Sequence, residues 1–293
     1  MITERKNIEM LGRVEELNRL LEGREFKITV SDNFKNNVRK VGYALTSESG
    51  NAAPVVYYDD MAPFWESDSD VIEYLEEVFE KYKIGCVNIE AFCTREYILS
   101  HVRPRLVSKE NLEMVQEKEI IYREFLDMLI LYYTEIEELS DEEGFASATL
   151  KYAMLKQAGI TLQELEEHAA ENLKDGCLIV SMGNLMSNLM GEDWEDEDTE
   201  DAMPMWVMTN AKRMQGAAAI LSTEILADVS RKFDNGTFLI IPSSVHECIA
   251  VPAEPVNITE LRKTICEVNR ILEIDDVLTD SVYLYKNGEV IIY

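Results

Sequence analysis

The order of short strands and capped helices in the last third of the chain constrains the fold most strongly. The runs "TFLII" and "ECIAV" are typical of strands. "SVYLYKNGEVIIY" alternates apolar and polar positions around Asn287-Gly288, a dipeptide that favours a tight hairpin turn. Ser222 and Asn257 are placed to cap the helices "TEILADVSRKF" and "ITELRKTICEVNRIL". With "MWVM" and "GAAAIL" interpreted as two further strands, the order is β-β-α-β-β-α-β-β.

This order predicts an α+β fold in which helices pack against an antiparallel or mixed sheet. We expect residues 205–293 to form one compact C-terminal α+β domain, with "GAAAIL", "TFLII" and "ECIAV" in a single sheet and two helices against it. Residues 1–190 are predicted to form an N-terminal α+β region. Residues 191–204 are predicted to be an acidic loop or linker between the two.

The upstream region contains clear helices and one ambiguous apolar run. Apolar residues recur at three- and four-residue steps over residues 7–21 and again over residues 70–82, so both segments are predicted to be amphipathic helices. Residues 125–138, "FLDMLILYYTEIEE", are apolar on all sides and fit either a helix or a buried strand. We favour a strand, because "ASATLKYAMLKQAG" follows after a short acidic turn and could pair with it.

The charge of the chain limits its partners. There are 28 basic and 56 acidic residues, which gives a net charge of −28. A surface this negative repels nucleic-acid phosphates and anionic lipid headgroups, so neither nucleic acid nor a membrane is an expected partner. A protein with a basic surface is still a possible partner. The first residues lack the apolar core of a secretory signal and no segment is apolar enough to cross a membrane, so we predict a cytoplasmic location.

The densest charge lies in the segment "GEDWEDEDTEDAMP". Eight of the ten residues from Glu192 to Asp201 are acidic, and like charges this close together resist packing. A calcium-binding EF-hand loop needs a glycine at its sixth position and regularly alternating ligands, and this segment has neither. We therefore interpret it as an exposed loop or linker.

No spacing in the sequence indicates a cofactor or a metal ion. The five cysteines are scattered and form no CxxC pair, and His101 and His168 have no ligand partners at a fixed distance along the chain. Neither a phosphate-binding loop nor a dinucleotide fingerprint is present. We expect no cofactor and no metal.

The one cluster that suggests catalysis is "PSSVHE", which contains Ser243, Ser244, His246 and Glu247. Ser244 and His246 could share one face of a strand, but Glu247 would point to the other, so a hydrolytic triad would need an acid from elsewhere. The structural interpretation is simpler. In it Pro242 ends a strand, the two serines bond to the turn backbone, and His246 and Glu247 begin the next strand.

Polar loop residues next to the predicted strands are the other binding candidates. Asn210 and Arg213 follow "MWVM", and this loop could meet "PSSVHE" at one sheet edge, where Arg213 could pair with Glu247 or with an anionic ligand. The alternative is that the two loops lie at opposite ends and stabilise only their own turns. Arg103 and Arg105 in "RPRLV" form a small basic island, for which internal ion pairs are the favoured role over anion binding.

The block "NAKRMQGAAAILSTEILADVSRKFDNGTFLIIPSSVHECIAVP", with "LRKTICEVNR" and "VLTDSVYLY" after it, resembles an uncharacterised family of clostridial gut bacteria (Firmicutes), known as a domain of unknown function. Weaker similarity extends upstream through "HVRPRLVSKENLE" and "GITLQELEEHAAENL". The resemblance implies a cytosolic bacterial protein. It implies no activity, substrate or cofactor.

These observations lead to two hypotheses of different class. The first is a non-enzymatic interaction or regulatory module with a strongly acidic surface. The alternative is a hydrolase that uses Ser244 and His246 with a distant acid, so the sequence leaves open whether the protein is an enzyme.

Overall fold

The structure of the chain is a computed structural model. It describes residues 2–48, 50, 52–82, 88–136, 139–140, 146–185 and 204–293. The acidic run from Glu192 to Asp201 lies outside the described residues. The chain divides into two compact units, Met1–Glu90 and Ala91–Tyr293, which are described separately below.

The N-terminal unit is a three-stranded antiparallel sheet, in the order β1-β2-β3, with helices packed on it. Its elements are α1 (Ile2–Leu20), β1 (Lys27–Lys35), β2 (Val38–Thr46), β3 (Val55–Tyr57), α2 (Tyr58–Met61), a 3-10 turn (Ala62–Phe64) and α3 (Asp68–Tyr82). Both predicted helices are confirmed, since α1 and α3 contain residues 7–20 and 70–82. The chain leaves α1 through Gly23, whose φ of 86° is one that glycine adopts without strain.

One apolar core holds this unit together. Tyr43 and Leu45 of β2 are fully buried against Met10 and Leu17 of α1 and Leu75 of α3. The Tyr43 hydroxyl donates to the Met10 carbonyl oxygen at 2.7 Å, which satisfies the polar end of a buried ring.

The C-terminal unit contains two antiparallel sheets with helices around them. Its helices are α4 (Ile89–Phe92), which begins at the unit boundary, α5 (Arg95–His101), α6 (Leu112–Glu117), α7 (Tyr152–Ala158), α8 (Leu162–Lys174), α9 (Thr223–Ser230) and α10 (Ile258–Asn269), with 3-10 helices at Lys109–Asn111 and Gly216–Leu221. Its strands are β4 (Val102–Ser108), β5 (Tyr122–Phe125), β6 (Met128–Glu135), β7 (Ser147–Thr149), β8 (Cys177–Ser181), β9 (Trp206–Asn210), β10 (Phe238–Ser244), β11 (Glu247–Pro252), β12 (Tyr283–Lys286) and β13 (Glu289–Ile292).

The larger sheet has six strands in the order β13-β12-β10-β11-β9-β8, all antiparallel. The smaller sheet is built on β6, which pairs with β4 along one side and with β5 and β7 along the other. The predicted α+β class is confirmed, and the sheets are antiparallel.

The main core of this unit lies between the two sheets. Phe238 and Tyr283 of the larger sheet pack in one cluster with Met128 of the smaller sheet and with the helix Gly216–Leu221. On the opposite face of the larger sheet, Ile265 of α10 packs against Leu239 and the neighbouring strands. The larger sheet is therefore covered on both faces.

The predicted strand "GAAAIL" is wrong: these residues form the 3-10 helix Gly216–Leu221. A continuous run of small apolar residues carries no periodicity that distinguishes a strand from a helix, and alanine favours helical backbone. Residues 216–220 are all buried, and the helix packs against the ends of β9 and β11 instead of pairing with them.

Residues 137 and 138 of the ambiguous run 125–138 lie outside the described residues, and the favoured strand is present in the rest of it as β6 (Met128–Glu135). Within it, β6 is buried at nearly every position, and Leu126 in the β5–β6 turn has a φ of 55°. The segment after it does pair with β6, but only through β7. The rest, "YAMLKQA", is α7, which ends at Gly159 with a φ of 66°.

The two compact units do not follow the boundaries predicted from composition. The division falls at Glu90, whereas the acidic segment separates β8 from β9, which pair with each other from Cys177 to Ser181. The sheet that contains residues 205–293 thus includes an edge strand from upstream of residue 190. The composition shows where the chain is most acidic, but this is not a domain boundary, because the strands on either side of the acidic segment, β8 and β9, pair with each other.

Asp127 links the smaller sheet to the larger one. Its carboxylate, in the β5–β6 turn, accepts hydrogen bonds from the hydroxyls of Thr279 at 2.6 Å and Ser281 at 2.7 Å, and from the Tyr283 hydroxyl. Burial acts to raise the pKa of Asp127, but the hydrogen bonds from Thr279, Tyr283 and Ser281 and from its own backbone outweigh burial, and the pKa is lowered. We call this group the Asp127 clamp.

We expect Asp127→Asn to lower the free energy of unfolding by about 1–3 kcal/mol, since hydrogen bonds to an ionised group are among the stronger ones. Because the pKa is lower in the folded state, the stabilisation is present above the unfolded value of about 4 and is lost as the pH falls through the folded value. Urea titrations at neutral pH and near pH 3 measure both effects. The exposed Asp228→Asn is the matched control, and equal losses for the two variants at neutral pH would contradict the role of the clamp.

Candidate functional site

The cluster suggested by the sequence lies at the turn between β10 and β11, at one end of the larger sheet. Pro242 does not end β10, contrary to the structural interpretation given above. It stays in register opposite Cys248, and the strand continues to Ser244 through an irregularity between Pro242 and Ser244. Proline occurs in strands next to such irregularities and where a neighbouring strand has ended, and β12 pairs with β10 only as far as Ile240.

The serine hydroxyls bond within the turn and not to the histidine ring. Ser244 Oγ accepts from the backbone N–H of His246 at 3.0 Å. Ser243 Oγ lies 3.3 Å from the Glu247 carbonyl oxygen and 3.2 Å from its carboxylate, and can donate to either. These are the short-range contacts by which serine stabilises a turn.

Both ring nitrogens of His246 have partners from distant parts of the chain. Nδ1 accepts from the backbone N–H of Gln215 at 3.2 Å, so the neutral ring carries its proton on Nε2. Nε2 lies 3.3 Å from Asp276 Oδ1, and the carbonyl oxygen of Asp276 accepts from the N–H of Val245 at 2.9 Å. The ring therefore fastens the hairpin to the loop before Gly216 and to the loop after α10.

The two predicted loops meet at one edge of the sheet. Thr209 Oγ1 donates to the His246 carbonyl oxygen at 2.8 Å, and the Ala217 N–H donates to the Val245 carbonyl at 3.2 Å. Asn210 folds back on its own loop, where its side chain bonds to the backbone of Met214 in both directions. Arg213 is exposed with a φ of 51°, and it forms no ion pair with Glu247.

Gly216 allows this close approach. A Cβ at Gly216 would lie 2.4 Å from Thr209 Oγ1 and 2.5 Å from the His246 carbonyl oxygen, both below any real carbon contact. The helix Gly216–Leu221 can start here only because its first residue has no side chain.

A buried ion-pair group lies beside these loops. Glu135, 8% exposed, contacts Arg103 Nε at 3.3 Å and Lys212 Nζ at 2.9 Å. Arg103 also donates to the Asn172 carbonyl oxygen at the C-terminal end of α8, where a cation is favoured. The internal ion pair favoured for Arg103 is present.

A small cavity lies next to Arg103 and to the loop that contains Asn210 and Gly216. It has a volume of about 20 Å3, with Arg103, Tyr133, Cys177, Asn210 and Gln215 among its lining residues. That volume holds about one water molecule, so the cavity has no room for a substrate.

Several residues that build this region were missed by sequence reasoning. Gln215, Asp276 and Glu135 come from three separate segments, and no short-range spacing connects any of them to His246 or Arg103. Glu135 offered the only signal, a carboxylate at the end of an otherwise apolar strand.

The described residues include no group of three or more His, Cys, Asp or Glu side chains that could hold a metal ion. The four described cysteines are free thiols, and burial raises the pKa of Cys177 to about 11. None of the described helices has the length and apolar composition needed to cross a membrane.

We expect Gly216→Ala to destabilise the protein by about 1–3 kcal/mol, because the new methyl group would overlap the backbone of His246 and Asn210 as well as Thr209 Oγ1, and the backbone cannot simply rotate away. Gly183→Ala is the matched control, since its Cβ would meet nothing within 4 Å. Thermal unfolding of both variants measures the difference. An unchanged melting temperature for Gly216→Ala would show that the contact is looser than described.

We expect His246→Ala to lower the free energy of unfolding by about 1–2 kcal/mol, since it removes two contacts and leaves the Gln215 N–H without its acceptor. The control is His168→Ala: this side chain is 40% exposed, and its replacement should change stability by less than about 0.5 kcal/mol. Chemical denaturation of the two variants tests this. Full stability of His246→Ala would instead favour a functional role for the ring.

Comparison with known proteins places most of the chain in one family. The model of a family of unknown function, DUF5688, matches residues 11–287. No curated protein and no solved structure matches the chain. Because the match spans nearly the whole sequence, the chain belongs to the family DUF5688.

Proposed function

We propose that this protein is a non-enzymatic interaction or regulatory module of the bacterial cytoplasm, and that its partner is a protein with a basic surface. The observation that supports this most directly is the charge: a net charge of −28, with eight acidic residues between Glu192 and Asp201. Complementary charge accelerates and orients association between proteins, and it disfavours partners of like charge such as nucleic acids.

The contacts of His246 support the same proposal. A hydrolase needs a serine hydroxyl within hydrogen-bond reach of the general base. Here the nitrogens of His246 contact Gln215 and Asp276, and the hydroxyls of Ser243 and Ser244 contact the turn. The three groups stabilise the end of the sheet, so the geometry does not favour the hydrolase hypothesis.

Neutralising the acidic run tests the proposal. The variant replaces the four Glu and four Asp residues between Glu192 and Asp201 by Gln and Asn. The control variant removes the same number of charges at exposed positions elsewhere by Glu→Gln changes at Glu15, Glu16, Glu22, Glu48, Glu73, Glu77, Glu117 and Glu273.

Each protein is immobilised and exposed to a clostridial cell extract at low and at high salt, and captured proteins are identified by mass spectrometry. We expect a basic protein that the native chain and the control retain at low salt and that high salt releases, since screening weakens exposed charge pairs. Its affinity for the variant without the acidic run should fall at least about tenfold. Equal capture by all three proteins, or capture of nothing, would contradict the proposal.

A further inference from the structure

Arg105 is a half-buried cation that has no carboxylate partner among the described residues. It lies on β4, two residues after Arg103, so both side chains extend from the same face of the smaller sheet. Its Nη2 donates to Thr149 Oγ1 at 2.8 Å, and its guanidinium carbon lies 5.8 Å from the centre of the Tyr133 ring. Its Nε is buried and has no hydrogen-bond partner.

The neighbouring charges do not compensate Arg105. Glu135 is shared by Arg103 and Lys212, and Glu124 of β5, on the same face, pairs with Lys109, so both carboxylates of this face in the described residues have other partners. Burial and the nearby Glu135 carboxylate raise the pKa of Tyr133 to about 12, so its phenol stays neutral. Burial also lowers the pKa of Arg105, which shows that its surroundings oppose the charge it carries.

This arrangement is unexpected in a chain with twice as many acidic as basic residues. A buried charge without a counter-ion is costly, and a buried N–H without an acceptor is rare in folded proteins. The planar N–H donors of a guanidinium match the oxygens of a carboxylate or a phosphate, and the Thr149 hydroxyl beside Arg105 is a second group that can bind such an anion. The aromatic face of Tyr133 can hold the guanidinium plane in place.

We propose that Arg105, with the Thr149 hydroxyl beside it, forms a binding site for a small oxyanion, a free carboxylate or phosphate group. The free Nε–H of Arg105 donates a hydrogen bond to the anion. The Arg105 side chain is only partly covered, which leaves a route from solvent. A water molecule at Nε would satisfy the hydrogen bond and leave the charge uncompensated.

The site is independent of the proposed acidic interaction surface, because it uses a cation of β4 and residues of β6 and β7.

The test uses the full chain and follows thermal unfolding during titration with sodium phosphate or sodium acetate, with sodium chloride as the reference at equal ionic strength. A ligand that binds the folded state raises the melting temperature in a saturable way. Anions that act only by exclusion from the surface raise it without saturation and in every variant.

The variants are Arg105→Gln, which removes the cation, and Arg231→Gln, a matched control at an exposed arginine. We expect saturation for the native chain and for Arg231→Gln, and its loss in Arg105→Gln. A lower half-saturating concentration for phosphate than for acetate identifies a phosphoryl ligand, and the reverse identifies a carboxylate. If Arg105→Gln does not fold, Arg105→Lys replaces it. The lysine keeps the charge but lacks the Nε–H donor. The anion concentration that half-saturates Arg105→Lys should therefore be at least fivefold higher than for the native chain.

Two results would overturn the proposal. One is the absence of a saturable response to either anion in the native chain, which would assign the free Nε to water. The other is an unchanged half-saturating concentration in the Arg105 variant, which would place the binding elsewhere.

Discussion

The close backbone contact at Gly216 is the constraint on which the C-terminal unit depends. There the helix Gly216–Leu221 reaches Thr209 of β9 and the carbonyl oxygen of His246 with no side chain in between. The helix then inserts its alanines between the two sheets, where they join the core with Phe238 and Met128. The loops, the hairpin and the core are thus fixed through one residue without a Cβ.

The polar residues around this contact each link segments that are far apart in the sequence. His246 accepts from the chain on one side and meets a carboxylate on the other, and Glu135 is shared between Arg103 and Lys212. In each case a buried or half-buried polar group is satisfied by segments far apart in sequence, which fixes one arrangement of those segments. Arg105 departs from this pattern, and a departure inside a well-satisfied interior is where a ligand is expected.

Local signals in the sequence were sufficient for most elements. Thr161, Ser222 and Asn257 each accept a hydrogen bond from the first turn of the helix they precede, and Asn287 and Gly288 form the expected hairpin turn with positive φ. These caps and this turn could be predicted because the residues that determine them lie within four positions of each other. "GAAAIL" failed because its conformation is decided by what surrounds it, and the His246–Asp276 and Arg103–Glu135 contacts could not be found because each joins segments more than 25 residues apart.

The Asp127 clamp also has a consequence for how the chain folds. The hydroxyl of Tyr283 is 156 positions from the carboxylate it contacts. Closing so long a loop is entropically unfavourable until other contacts have brought its ends together, so we expect the clamp to form late, after the rate-limiting step. An interaction that is absent from the transition state leaves the folding rate nearly unchanged and slows unfolding. The clamp therefore acts mainly on how long the native state persists once it has formed.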